Sequence, residues 1–246
     1  MPAYRQAGND RINLTRLRSK RKLPSLRAKT GSRVGVVKAV RRNSFIYSVT
    51  QRVARAILSL FYRIEIEREA EFPTGGPAVI LPKHQYWTDI PLVSLSFCFP
   101  LLFVAKKELF RFPGIRSYLS LLGGIPVDRA RSIRTLSSLK LLLSSLKAKE
   151  KVVLFPEGTY VRGVVGLGKN RLIQMILGIQ SELQERIPFI PMGIRYGERS
   201  GWRRRVEIRI GSPLCADGES EAIPLTQKVM EEISRISQLP LSNAKS

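Results

Sequence analysis

78-AVILPKHQYWTDI-90 opens with four apolar residues in a row and arrives, three positions later, at His84, the one histidine among 246 residues. An apolar run of this length following Pro77 predicts a buried strand. Comparable runs recur at 101–105, 125–127, 152–155, 189–195 and 206–210, and helical periodicity fills the gaps, most clearly at 135–149, 170–185 and 226–238. Strands that alternate with helices of this length predict an α/β fold, a largely parallel central sheet covered by helices on both faces. Ligands of such sheets lie at the carboxyl ends of the strands. His84 follows the end of the first.

The totals narrow the class. A chain of 27.8 kDa with 43% hydrophobic residues can bury one sizeable core plus extensions. Forty-two Lys and Arg against 19 Asp and Glu leave a formal charge of +23, a field that attracts anionic lipid surfaces, acidic carrier proteins or nucleic acid. Cys98 and Cys215 have no metal-ligand spacing and one histidine cannot build a zinc site, so neither a metal nor a cofactor is expected. The longest apolar stretch, 90–105, is cut by Pro91 and Pro100 and is too short to span a bilayer.

Charge divides the chain unevenly. Residues 1–43 read as a disordered basic arm, Arg- and Lys-rich with the single acid Asp10, whose make-up also fits an organelle transit peptide. Within 44–72 the apolar residues Phe45, Ile46, Val49, Val53, Ile57, Leu60, Phe61 and Ile64 recur at spacings of three and four, predicting an amphipathic helix over 45–64. Such a helix either packs on the domain or lies in a membrane interface. Residues 73–240 form the catalytic domain in this reading, and 241–246 a tail.

His84 and Asp89 stand at an H-x4-D spacing. A carboxylate one turn away can fix the tautomer of an imidazole and stabilise its charged form, leaving the second nitrogen to take a proton from a bound hydroxyl. By itself the pair occurs by chance, and a lone histidine beside Tyr86 and Trp87 is as easily structural. Three more clusters follow strands: 123-GGIPVDRAR-131, where Arg129 offers a guanidinium fork; 155-FPEGTYVRG-163, where Gly158 lets backbone amides approach a ligand; and 190-IPMG-193, a strand broken by Pro191.

In this order and spacing the four clusters resemble the glycerophospholipid acyltransferase family, and within it the lysophosphatidic acid acyltransferases. The resemblance runs from about residue 77 to 214 and rests on His84 and Asp89, on 124-GIPVDR-129, on 155-FPEGT-159 and on 190-IPM-192. It implies an enzyme of phospholipid biosynthesis in which His84 deprotonates the sn-2 hydroxyl of lysophosphatidic acid and Asp89 orients the ring. The oxygen then attacks an acyl thioester of coenzyme A or acyl carrier protein, giving phosphatidic acid. By the same resemblance Arg129, Glu157, Gly158 and Thr159 help form the acceptor's phosphate site, with Lys106 as a further cation. The family commonly places arginine after the threonine; here Tyr160 stands there, and Arg162 or Lys169 is expected to substitute.

A lyso-phospholipid acceptor lies in a bilayer. The arm, the amphipathic helix and 199-RSGWRRR-205 accordingly suggest peripheral or monotopic attachment to an anionic membrane, on the cytoplasmic face of the inner or plasma membrane. The apolar stretches 90–105 and 117–122 would serve either as an acyl groove or as core. Two alternatives remain: transfer to another lyso-lipid, or polyanion binding of the nucleic-acid type. Against the latter, the aromatic residues lie in apolar runs and no nucleic-acid motif is recognisable, so no specific nucleic-acid partner is expected.

Overall fold

The computed structural model describes residues 42–127 and 136–242. The basic arm to residue 41, the Asp128-Arg129 end of the second cluster and the tail from 243 lie outside the described residues.

Seven strands form one sheet: β1 (Tyr62–Arg68), β2 (Ala78–Pro82), β3 (Leu102–Lys106), β4 (Gly124–Val127), β5 (Lys151–Val153), β6 (Phe189–Ser200) and β7 (Arg203–Ile210). Their order is β1-β7-β6-β2-β5-β3-β4, with every neighbouring pair parallel except the β6–β7 hairpin. Strands β2, β3, β4, β5 and β6 therefore point the same way and bring their carboxyl ends to one edge.

The helices are α1 (Ser44–Phe61), α2 (Asp89–Leu95), α3 (Pro113–Leu121), α4 (Leu136–Lys147), α5 (Asn170–Leu183) and α6 (Ala222–Ser237). Alternation along β2 explains why both faces must be covered. Val79 and Leu81 pack with α4, α5 and α6, whereas Ala78 and Ile80 pack with α1 and α2; all four are wholly buried. At roughly 1.5–3 kcal/mol for each buried Val, Leu or Ile side chain, this one strand anchors both layers. On β6, a Cβ at Gly193 would come within 2.7 Å of the Ser237 backbone nitrogen, so only glycine lets α6 lie this close to the strand.

Two expectations change, and one open alternative is narrowed. The helix anticipated over 45–64 stops at Phe61, because 62-YRIEIER-68 alternates with period two and pairs residue for residue with β7. Pro191 does not break its strand: its carbonyl accepts from Gly211 at 2.9 Å, and its missing donor faces the side where β7 has already ended at Ile210. Within 90–105 the residues Leu92, Val93, Leu95, Leu101 and Leu102 are buried, which makes this stretch core and not groove.

Helix α1 packs on the domain by a narrow edge and leaves most of its apolar stripe uncovered. Its start is capped by Asn43, whose Oδ1 accepts from the Ile46 amide at 3.1 Å. Tyr47 and Leu58 are buried, Tyr47 and Ser94 share a hydroxyl contact at 2.9 Å, and Gln51 donates to the Ser94 carbonyl at 2.7 Å. Much of the apolar stripe faces outward, with Phe45 77% and Phe61 57% exposed and Val49, Val53, Ile57 and Leu60 exposed beside them.

Candidate active site

The loop leaving β2 turns sharply because one carboxylate holds it. Asp89 opens α2 and is fully buried; its Oδ2 accepts from the amides of Gln85 at 2.5 Å and Tyr86 at 2.7 Å, and lies 3.1 Å from His84 Nδ1. The amide contacts draw the histidine turn back over the start of the helix. Asp89 can only accept, so the Nδ1 contact puts the ring proton on Nδ1 and leaves Nε2 as the basic nitrogen. The ring stacks on Phe155 at 3.8 Å between centroids and lies 4.3 Å from Tyr160, so its plane is set by aromatic walls as well as by the carboxylate.

The loop leaving β5 is laced to the same turn. Glu157 Oε1 accepts from Lys83 Nζ at 2.7 Å and from the Gly166 amide at 2.7 Å, while Oε2 accepts from Lys83 Nζ and from the His84 amide, both at 2.9 Å. Lys83 Nζ donates further to the Val161 carbonyl at 2.6 Å. The Val161 amide returns a bond to the His84 carbonyl at 2.9 Å, and Gly163 N–H donates to Gln85 Oε1 at 3.0 Å. Lys83 and Glu157 are both sealed from solvent. Burial pushes the Lys83 ammonium below the ordinary lysine range, opposed by its hydrogen bond to Glu157 and by that carboxylate's charge.

This arrangement revises the part expected of Glu157. Its oxygens are committed to Lys83 and to two backbone amides, and it is 3% exposed, so it braces the floor of the site and does not face a ligand. Gly158 has φ +69, and a Cβ there would meet the Lys169 side chain at 3.0–3.2 Å. Glycine thus lets that lysine fold against the loop.

Of the other anticipated residues, Thr159, Arg162 and Lys169 are exposed around this loop. Arg162 spreads its guanidinium over the Tyr86 ring at 4.9 Å, within the histidine turn. Lys106 is exposed at the end of β3, which lies two strands from β2 with β5 between them. Arg129 lies outside the described residues. Tyr160, in the place where arginine was expected, leans on the His84 ring and supplies no cation. No group of three or more His, Cys, Asp or Glu that could hold a metal is found among the described residues.

Two residues that hold the site together escaped the sequence reading. Lys83 was signalled by a charge set directly after a run that reads as buried, since such a charge needs a partner. Tyr196, whose hydroxyl donates to Asp89 Oδ1 at 2.6 Å, left no local signal, because it is 107 positions away on β6.

With this geometry in view the comparisons with known proteins are informative. A family model described as Acyltransferase matches residues 63–195. The 1-acyl-sn-glycerol-3-phosphate acyltransferase of Bacillus subtilis (strain 168) is 27% identical over 173 residues, covering 69% of this chain and 82% of that protein. The lyso-ornithine lipid O-acyltransferase of Brucella abortus (strain 2308) is 29% identical over 103 residues, 42% of this chain and 38% of its own. The crystal structure of the 1-acyl-sn-glycerophosphate acyltransferase PlsC from Thermotoga maritima superposes with a TM-score of 0.62 at 23% identity, covering 79% of each chain, and shares the fold. The matched segment runs from β1 through His84, Asp89 and Glu157 to the middle of β6, ending one residue before Tyr196, and the chain belongs to the acyltransferase family.

Proposed function

We propose that this enzyme transfers an acyl group from a thioester of coenzyme A or acyl carrier protein to the sn-2 hydroxyl of lysophosphatidic acid at a membrane surface, forming phosphatidic acid. The observation that carries the reading is the 3.1 Å contact from Asp89 Oδ2 to His84 Nδ1 on a buried aspartate. Such a pairing makes Nε2 a general base. The base takes the hydroxyl proton as the oxygen attacks the thioester carbonyl; the carbon–sulfur bond breaks and the proton leaves with the thiol. The substrate supplies the nucleophile, so no serine or cysteine is needed.

Arg162 and Lys169 around the β5 loop, with Lys106 and Arg129, are the cations assigned to the phosphate in this reading. Five matches of the same kind as the Bacillus protein lend the acceptor weight, and they come from enzymes that carry its name. Tyr160 favours a second reading, a lyso-lipid whose headgroup asks less of a cation at that point, as the name of the Brucella relative also suggests.

Attachment at the bilayer surface rests on the outward apolar stripe of α1, on Trp87 and Trp202, 68% and 62% exposed, and on a cavity of about 320 Å³ between α1 and the β6–β7 hairpin, lined by Ile57, Phe61, both tryptophans, Arg199 and Arg204. Aromatic and apolar groups beside guanidinium suit the headgroup layer. No helix among the described residues is long and apolar enough to cross a membrane. In this reading residues 1–43 add basic attraction, 44–72 hold the interfacial helix and 73–240 most of the acyl-transfer fold.

The test is thiol release from acyl-CoA and from acyl carrier protein, with lysophosphatidic acid and then with other lyso-lipids, comparing the native chain with folded His84→Ala. Release that depends on lysophosphatidic acid and vanishes in the variant is expected. Release with a different lyso-lipid alone selects the second reading, and release with none overturns both.

A further inference from the structure

Asp89 has a second carboxylate oxygen that the histidine does not use. Oδ1 accepts the Tyr196 hydroxyl proton at 2.6 Å, and the same phenol oxygen lies 2.8 Å from Thr88 Oγ1. A phenol has one proton, and that proton is given to Asp89, so Thr88 donates to the tyrosine. The result is a single chain of donors, Thr88 to Tyr196 to Asp89, meeting at the carboxylate the donation from His84 Nδ1.

We propose that Tyr196 is a positioning residue for acyl transfer, holding the Asp89 carboxylate in the one rotation that presents Oδ2 to His84. This inference rests on reading His84 as the base. Rotation about the carboxylate bond is soft, with a broad and roughly two-fold profile, so the rotation is decided by whichever donors surround the group. Oδ2 takes two backbone amides and the imidazole, whereas Oδ1 has Tyr196 as its donor among the described residues. Asp89 is wholly buried, so without the phenol this oxygen would carry charge in a low-dielectric site with nothing to satisfy it.

The tyrosine is itself fixed. Its ring meets Tyr86 edge-on at 4.8 Å and Tyr62 edge-on at 6.0 Å, and the Arg204 guanidinium lies over it at 5.4 Å. Regular pairing of the hairpin ends at Tyr196 opposite Val206 and resumes at Arg199 opposite Arg204. A bulge beside a catalytic group is a recurrent means of aiming a side chain. Burial, then the negative charge of Asp89, lifts the phenol far above its ordinary range, so the hydroxyl remains a donor at any pH at which the enzyme works.

The single histidine makes the idea directly measurable. The ring nitrogen-15 signals of His84 are followed from pH 5 to 9 in the full chain and in Tyr196→Phe, with kcat and the acceptor KM measured on the same preparations. Groups that bear on the ring are Asp89, Lys83 and Tyr86 from its own loop and helix, Glu157 and Tyr160 from the β5 loop, Arg162 over Tyr86, and Tyr196 with Arg204 from the hairpin. All but one are unchanged in the variant. A carboxylate no longer held toward the ring stabilises the imidazolium less, so the midpoint should fall by about half a pH unit or more. The value of kcat should fall about 10-fold, the scale on which partners of a ring-orienting carboxylate act, with the acceptor KM unchanged.

Unaltered ring signals and midpoint in folded Tyr196→Phe would overturn the proposal, whatever the activity. Should that variant fail to fold, Thr88→Val is read instead; it weakens the phenol as a donor and should move the midpoint the same way by less, and no movement overturns the proposal. If the native chain releases thiol with no lyso-lipid, the acceptor assignment fails while the ring measurement still decides whether Tyr196 governs Asp89.

Discussion

Lys83 Nζ and Glu157 Oε1 lie 2.7 Å apart with both side chains closed to solvent, and the same carboxylate takes the amide proton of His84 at 2.9 Å through its other oxygen. The pair thus sets the backbone that carries His84. Removing one partner leaves an uncompensated buried charge, which costs about 3–5 kcal/mol. Lys83→Met and Glu157→Gln should each lower the unfolding free energy by roughly 3 kcal/mol, and the double change Lys83→Met with Glu157→Leu should recover part of the loss. Urea denaturation checks this; wild-type midpoints in both single variants would show that the pair contributes nothing.

Asp89→Asn keeps the size of the side chain and removes its charge. If the carboxylate fixes the tautomer of His84, kcat should drop on the order of 10³–10⁴-fold while the fold survives. Steady-state thiol release measures it, and a rate within about 3-fold of wild type would remove Asp89 from the mechanism.

Arg162→Ala, Lys169→Ala and Lys106→Ala separate the exposed cations. A charge-assisted contact to phosphate in a solvated site should be worth about 1 kcal/mol, so loss of a true ligand raises the acceptor KM about 3- to 10-fold with kcat nearly unchanged. If all three leave KM where it was, the phosphate is held elsewhere and the part assigned to this loop is mistaken.

Vesicle binding tests the outward face of α1 and the hairpin tip. Phe45→Ser with Phe61→Ser should weaken partition onto vesicles containing an anionic phospholipid by about 10-fold or more, at up to 1.5–3 kcal/mol for each side chain that inserts. Trp202→Ser should add to the loss. Turnover of detergent-dispersed acceptor should stay near wild type. Partition indifferent to all three changes would leave the face without a membrane role.

Alkaline pH reads Tyr196 through stability. Burial and the charge of Asp89 raise its folded pKa above the ordinary value of 10.0. Between those two values the folded state keeps a proton that the unfolded chain has lost, so stability falls as pH rises, by about 1.4 kcal/mol per pH unit. Below pH 10 this contribution is fully present. The stability difference between the native chain and Tyr196→Phe should therefore shrink from pH 10 to 11 in guanidinium titrations, and a constant difference would contradict the raised value.

How much of this was legible depends on how far apart the cooperating residues lie. The run 78-AVIL-81, the five-residue step from His84 to Asp89 and the Pro-Glu-Gly turn at 156–158 are local patterns; apolar periodicity and turn chemistry act over a few residues, so strand, turn and base could be placed from order alone. The helix over 45–64 was overextended because Ile64 satisfies a period of three or four and a period of two equally well, and only pairing with β7 chooses the strand. Glu157 looked like a ligand by motif and proved to be a brace, since its partner Lys83 is 74 positions away.

What the sequence determined by itself was the class of sheet, the pairing of His84 with Asp89 across one turn, and a surplus of positive charge that any anionic surface would feel. Only the tertiary structure decided which way α1 turns its apolar stripe, that Glu157 closes on Lys83, and that Tyr196 closes on Asp89. These are contacts between segments whose separation along the chain carries no periodic signal. They form because burying both faces of one sheet forces charged groups at its carboxyl edge to satisfy one another.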